Sequence, residues 1–245
     1  MDHTCFNAAM IVEMGFGYSC REEKSYTFLT PFSFGLDSMK ISLILAHPMV
    51  GSFNHAIAEA ARITLVSNGH IVSFHDLYQE RFDPILHYEE IPKGADVDPI
   101  IRKHCDEIAS ADGIVIVHPN WWGMPPAILK GWVDRVIRPG VAYEFLEGDS
   151  GEGVPYGRLK ASKAAVFNTS NTLPERERQV FGDPLQTLWK NCIFGLCGVK
   201  EFYKTTYSVV VTSTPAQRKE WLENVRETVT TVFQSHSDNP HEKAH

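Results

Sequence analysis

Long hydrophobic runs are missing from this 245-residue chain. No apolar stretch approaches the roughly 18 residues a helix needs to cross a bilayer, so no stable membrane insertion is expected. Nor does the N-terminus read as a secretory leader. No Lys or Arg precedes Arg21, and the apolar run Ala8–Val12 stops at Glu13. Cysteine is scarce as well. The five residues (Cys5, Cys20, Cys105, Cys192, Cys197) are odd in number and scattered, which argues against a disulfide framework and for a reducing, cytoplasmic setting. Cys192 and Cys197 have no second Cys/His pair at zinc-like spacing and read as buried thiols. His70, His75, His87 and His104 show no partner pattern, so no metal site is expected. Basic charge is in deficit: 23 Lys+Arg against 30 Asp+Glu leave a net −7, which speaks against nucleic acid or an anionic membrane as partner. Internal repeats and low-complexity tracts are absent too.

What is present suits a globular protein. Hydrophobic residues make up 43% and charged residues 22%, enough apolar surface to bury a core. Residues 1–38 are rich in Phe, Gly, Ser and Thr and hold no sustained period of 2 or 3.6. Met39-Lys40 then opens an apolar strand. We read 1–38 as a poorly ordered N-terminal extension with Met39 as the functional start, 39–234 as one domain, and 235–245 as a frayed polar tail.

From Lys40 the pattern alternates strand and helix. Ile41–Ala46 is a continuous apolar run, as a strand covered on both faces requires. Ile57, Ala61 and Leu65 make a helical stripe that Asn68-Gly69 ends. Ile71–His75 reads as a second strand, and Ile101, Cys105 and Ile108 as a helix opened by Asp98-Pro99. Gly113–His118 is a β-branched third strand. Pro125-Pro126 opens a helix with Ile128, Leu129, Trp132, Val133 and Val136 on one face. Ala164–Asn168 reads as strand four, Leu185–Phe194 as a helix and Tyr207–Thr212 as the last strand. The stripe from Trp221 to Phe233 closes the chain as a helix, with Trp189 and Trp221 in the core. Such alternation predicts an α/β fold: five parallel strands in the flavodoxin-like order 2-1-3-4-5, helices on both faces. Ligands of these sheets bind beyond the carboxyl ends of the strands, near the switch between strands one and three.

Three loops are therefore informative. His47-Pro48-Met49-Val50-Gly51-Ser52-Phe53-Asn54 runs into a helix N-terminus, whose free N–H groups suit a phosphate; Ser or Asn there also serves as a plain N-cap. The loop lacks both a Walker Lys-Ser/Thr and a spaced-glycine fingerprint. His118-Pro119-Asn120-Trp121-Trp122-Gly123-Met124-Pro125-Pro126 places two tryptophans on one tight loop. Only one of them fits inward, which leaves an aromatic wall for a flat ligand. Asn168-Thr169-Ser170-Asn171-Thr172 is either an ordinary turn or a donor-rich edge for the same ligand. A phosphate site, an aromatic wall and a polar edge together describe a flavin nucleotide.

Ser52-Phe53-Asn54 after His47, and the block Trp122 to Val136 followed by Gly140-Val141-Ala142-Tyr143, resemble the flavodoxin-like NAD(P)H:quinone oxidoreductases, over about Lys40 to Phe233. The resemblance implies a flavoenzyme (FAD or FMN), active as a homodimer, that oxidises NADH or NADPH. Electrons would pass as a hydride through flavin N5 to a quinone or a related nitro or azo acceptor, in ping-pong order. It implies that His47, Ser52, Phe53 and Asn54 hold the flavin phosphate. Pro119, Asn120, Trp121, Trp122 and Gly123 would run along the isoalloxazine, and Asn168, Thr169, Ser170 and Asn171 along its polar edge. Tyr143 and Phe145 would line the substrate pocket from the neighbouring subunit, Tyr143 also as a catalytic candidate, and Trp122 would line that pocket too. Where eukaryotic members carry a relay Tyr and His, this chain has Glu175 and Phe181. Glu175 is a candidate proton handler, against its plain reading as a solvated helix-start residue. Lys130 and Arg135 read as solvated or interfacial, and Glu147–Gly157 as a mobile lid. Two other classes fit the same pattern: a regulatory flavoprotein on a transporter, and a flavodoxin-type one-electron carrier. The modest charge and the bulky aromatic loop disfavour the carrier.

Overall fold

A computed structural model describes residues 38–146 and 153–234. The extension up to residue 37, the tail from 235 and the first part (147–152) of the stretch read as a lid lie outside them. The strands are β1 (Lys40–Leu45), β2 (Ile71–Asp76), β3 (Gly113–Pro119), β4 (Tyr143–Glu144), β5 (Tyr156–Gly157), β6 (Lys163–Ser170) and β7 (Glu201–Ser208). Five form one sheet in the order β2-β1-β3-β6-β7, parallel throughout. With the short β4–β5 ribbon set aside, this is the expected 2-1-3-4-5 order. The helices are α1 (Phe53–Ser67), α2 (Pro99–Ser110), α3 (Ala127–Val136), α4 (Pro174–Gln179), α5 (Pro184–Gln186) and α6 (Pro215–Val232). α5 runs straight into a π-helical segment, Thr187–Gly195. No helix among the described residues is long and apolar enough to cross a membrane.

Strand alternation sends neighbouring residues into two cores. Ile41, Leu43, Leu45, Val115, Val117, Ala165 and Phe167 pack under α1 and α6. Ile44, Ala46, Ile114, Ile116, Ala164 and Val166 pack on the opposite face with α2, α3 and the π-helical segment. β3 and β6 are buried along their whole length, hence their apolar centres, Ile114–Val117 and Ala164–Phe167.

Several expectations shift. The last strand is Glu201–Ser208, not Tyr207–Thr212. Val209 turns left-handed (φ 59), the ladder ends there, and Val210–Thr212 make one 3₁₀ turn. The β-branched residues mimic a strand; the stronger local signal is the capping box Thr214-x-x-Gln217, both of whose bonds are made. Arg135 is buried, not solvated: its guanidinium binds the Glu90 carboxylate (2.9 and 2.5 Å) and the Asp83 carbonyl (2.7 Å). One turn earlier Gly131 lets the Pro84 backbone touch α3; a Cβ there would meet the Pro84 oxygen at 2.1 Å. Cys197 is buried, as expected, but Cys192 is exposed.

The fold also assembles a cluster that the sequence pattern does not show. His75, Glu80 and His104 meet between β2 and α2. Trp132 Nε1–H donates to His104 Nδ1 (3.1 Å). His104 Nε2 therefore carries its hydrogen towards Glu80 (3.3 Å) and offers no lone pair to a cation. His75 is held by Glu80 (2.8 Å) and by Glu107. Burial alone would lower the His75 pKa, but these hydrogen bonds outweigh it and raise it above 6.5. Burial likewise pushes the Glu80 carboxyl up, and its bonds to His104 and His75 overturn that, holding it at about 2. The raised His75 value contributes stability that is complete below 6.5 and lost as pH rises through the folded-state value. The depressed Glu80 value contributes stability present above 4.5 and lost towards pH 2. Denaturation midpoints of wild type and Glu80→Gln should therefore differ most between these limits, converge towards pH 2 and draw closer, without meeting, above the folded-state value of His75. A gap of constant size across the range would contradict the pairing.

Candidate functional site

β1, β3 and β6 end at one edge of the sheet, and the three loops that follow them converge there. They line a cavity of about 920 Å³ with residues from α4 and from the turn after β7.

Ser52 is the N-cap of α1 and accepts the His55 N–H. Asn54, 3% exposed, donates from Nδ2 to Thr169 Oγ1 (2.9 Å), which ties the first loop to the third. Its Oδ1 is buried without a protein partner. Beside them the Met49 N–H donates to His47 Nδ1 (3.2 Å). Burial lowers the His47 pKa, partly opposed by its contact with the Met49 backbone. One wall thus carries a helix start, a hydroxyl and an imidazole, a set that suits an anionic group, and beside them an amide oxygen that suits a hydrogen donor.

The second loop is held in one shape. Trp121 and Met124 exchange two backbone hydrogen bonds, each 3.0 Å. Between them Trp122 (φ 60) and Gly123 (φ 75) are both left-handed, the geometry of a type I′ turn. Gly123 suits its place twice over, since a Cβ there would also meet Pro184 at 2.8 Å. Trp122 does not suit its place: a bulky residue in this region costs about 1–3 kcal/mol. Its side chain is 97% exposed, so no core packing repays that strain. Trp121 leans on His47, with ring centroids 6.3 Å apart. Asn120 sets the turn by accepting the Gly123 N–H (2.9 Å) and donating to Glu177 (2.9 Å).

Thr169, Ser170, Asn171 and Thr172 form the polar side. Asn171 accepts the Val211 N–H (3.0 Å), which brings the turn after β7 to the cavity. Asn168 lies beneath, fully buried, and bonds His118 Nε2 (2.7 Å). Trp189 Nε1 donates to the same nitrogen (3.0 Å), while His118 Nδ1 lies 2.8 Å from the Pro119 carbonyl. Burial, aided by Lys204 and partly opposed by the Pro119 carbonyl, drives the His118 pKa down to about 4.

His47, Ser52, Phe53, Asn54, Pro119, Asn120, Trp121, Trp122, Gly123, Thr169, Ser170 and Asn171 thus line one cavity. Asn168 supports it from below. Glu175 is exposed at the start of α4 and is not part of the lining; Glu177, two residues on, is, as is Phe181. Tyr143 and Phe145 stand edge-on to each other at 6.0 Å, outside the cavity of their own chain. Glu177, Pro184, Val210, Val211 and Arg218 are the lining residues that the sequence pattern missed. The capping box at Thr214 would have marked the last three as belonging to a loop and a helix start.

The flavodoxin-like fold family matches the chain over residues 39–229. The chain belongs to that family. An uncharacterized NAD(P)H oxidoreductase of Haemophilus influenzae is 36% identical over 162 residues, 64% of this chain and 78% of the relative. Rat NAD(P)H dehydrogenase [quinone] 1 is 27% identical over 214 residues, 78% of this chain and 77% of that enzyme. Among solved structures, the NAD(P)H:quinone oxidoreductase of Methanothermobacter marburgensis superposes with a TM-score of 0.71 at 25% identity, covering 81% of this chain and 99% of that one. The flavodoxin-like family assignment covers all three converging loops and α3.

Two substitutions test this geometry. Trp122→Asn should stabilise the fold by about 1 kcal/mol through relieved strain, while weakening binding of any flat ligand. A lower denaturation midpoint would refute the strain. Glu177→Leu should destabilise by about 1–3 kcal/mol because it strands the Asn120 amide, and Glu177→Gln should recover most of that loss. Equal losses in the two variants would show that the hydrogen bond contributes nothing.

Proposed function

We propose that this protein is an NAD(P)H-dependent flavoprotein oxidoreductase that reduces quinones or related acceptors and works as a homodimer in the cytoplasm. One observation carries the reading. A helix start with polar side chains, an exposed aromatic turn and a donor-rich edge face a single cavity at the switch between β1 and β3. The named activities of the relatives support it.

The residues fit a flavin nucleotide. The α1 start with Ser52 suits its phosphate, and the orphaned acceptor Asn54 Oδ1 suits a hydroxyl of its ribityl chain. Trp121 and Trp122 suit its ring, and Thr169, Ser170 and Asn171 the polar edge of that ring. When bound, a flavin supplies two-electron transfer between a nicotinamide and an acceptor that use the same place in turn. The chain supplies the surroundings. Its type I′ turn holds the aromatic wall in one position, so little ordering remains to be done on binding. Glu177 is the acidic group among the lining residues. Its Oε1 is engaged by Asn120, which leaves Oε2 to hold or give a proton where a relay is needed. We assign that role to Glu177 ahead of Glu175. Tyr143 and Phe145 serve the pocket of the second copy in this reading.

The purified protein should be yellow, or turn yellow on incubation with FMN or FAD. Anaerobic NADPH or NADH should bleach the visible band, and menadione should restore it. A flavin band that neither nucleotide bleaches would shift the reading to a regulatory role or a carrier. A protein that binds no flavin would refute it.

A further inference from the structure

Ser52, His55 and Asp76 form a hydrogen-bonded chain that runs from the cavity wall into the fold. Ser52 Oγ lies 2.9 Å from His55 Nδ1, and His55 Nε2 lies 3.0 Å from Asp76 Oδ2. Asp76 is buried at the end of β2. Its other oxygen accepts the backbone N–H groups of Tyr78 (3.1 Å) and Gln79 (3.2 Å). A carboxylate bonded in this way only accepts, so it fixes His55 Nε2 as an N–H.

That leaves two arrangements at the other ring nitrogen. If His55 is neutral, Nδ1 is a lone pair and must receive the Ser52 hydroxyl hydrogen. Ser52 has one hydrogen, so it then turns only oxygen lone pairs to the cavity, beside the helix start where an anion would sit. If His55 takes a proton on Nδ1, the bond reverses. Nδ1–H donates to Ser52 Oγ, and the hydroxyl hydrogen is free to point at the anion.

We propose that His55 is a positioning residue of the anion site: protonation of its Nδ1 turns the Ser52 hydroxyl towards the phosphate of the bound flavin, so that each flavin nucleotide bound brings one proton with it. This rests on the flavin reading above. The partnerless Oδ1 of Asn54 is an acceptor, and it marks the same wall as built for a donor of the ligand, such as a ribityl hydroxyl, independently of the helix start. The proton balance is simple: one proton moves from solvent to His55 Nδ1, one hydrogen bond reverses, and no covalent bond changes. His47 stands edge-on to the ring at 6.2 Å, and Arg218 of α6 lines the same cavity as His47 and Ser52. Glu59, one turn further along α1, is engaged by Arg62. Asp76 is therefore the counter-charge that receives the new cation.

The test is calorimetric titration of the flavin-free full chain with FAD and with FMN at about pH 8. Two buffers of different ionisation enthalpy report the protons exchanged. We expect uptake of about 0.5–1 proton per flavin nucleotide, and a Kd that weakens by up to about tenfold per pH unit above neutrality. Riboflavin, which has no phosphate, should bind without uptake. His55→Phe and His55→Gln should bind the nucleotide more weakly, with no uptake and a flat pH profile. The proposal fails if wild type binds FAD or FMN without taking up a proton, if both variants retain the uptake, or if riboflavin evokes it. Failure to bind any flavin would be a separate result, removing the flavin reading and this proposal together.

Discussion

The cavity depends on one buried imidazole that stays neutral. His118 is the penultimate residue of β3 and has no exposed surface. Its Nε2 receives hydrogens from Asn168 on β6 and Trp189 on the π-helical segment, so it must be a lone pair. Nδ1 then carries the hydrogen and gives it to the Pro119 carbonyl. Protonation would place a third hydrogen between two donors inside a dry core, and burial, with Lys204 nearby, prevents it by holding the pKa at about 4. Because β3 and β6 are tied at this point, the loops that leave them start from fixed positions. Asn120 N–H then bonds the Thr169 carbonyl at 2.7 Å, and the two loops continue as a unit.

Above this anchor, rigidity comes from polar bonds rather than apolar burial. Glu177, Asn120 and Gly123 form one line of bonds, and Thr169 and Asn54 form another. They hold a turn in which Trp122 keeps an unfavourable backbone and an exposed ring. Strain persists only where its surroundings over-determine it, and here the surroundings are known by name. The strain thus has the character of pre-organisation: the backbone cost is met on folding instead of on binding.

The fold was legible because its central strands are covered on both faces and leave unbroken apolar runs, while the helices keep their stripes. The three main loops were legible because topology alone places them at one edge. Two features were not. Val209, Val210 and Val211 carry the composition of a strand, and only tertiary contacts, Asn171 with Val211 and Arg218 with the Val210 carbonyl, turn them into part of the site. The choice between Glu175 and Glu177 was also beyond a linear reading. Two residues along a helix differ by about 200° in direction, so one faces solvent and the other the cavity, and the sequence does not say which way α4 is turned. Asn168 shows a related limit: the polar run Asn168–Asn171 reads as one edge, but strand alternation sends its first member beneath the site.

The residues that carry the family resemblance most specifically are not those that decide the chemistry. In the block from Pro125 to Val136, Gly131 admits the Pro84 backbone, Trp132 bonds His104 and Arg135 holds Glu90. The first and third fix α3 against the connection between β2 and α2, and the second fixes it to α2 itself, on the side of the sheet away from α1 and α6. Such a block transmits a scaffold, and function resides in the groups grafted onto it. The groups that would tell one acceptor from another (Glu177, Phe181, Val210, Val211 and Arg218) come from α4, the turn after β7 and the start of α6. Similarity in the scaffold therefore argues strongly for a flavin-sized cavity and weakly for any one acceptor, and substrate identity has to be sought along the α4 and β7 side of the cavity.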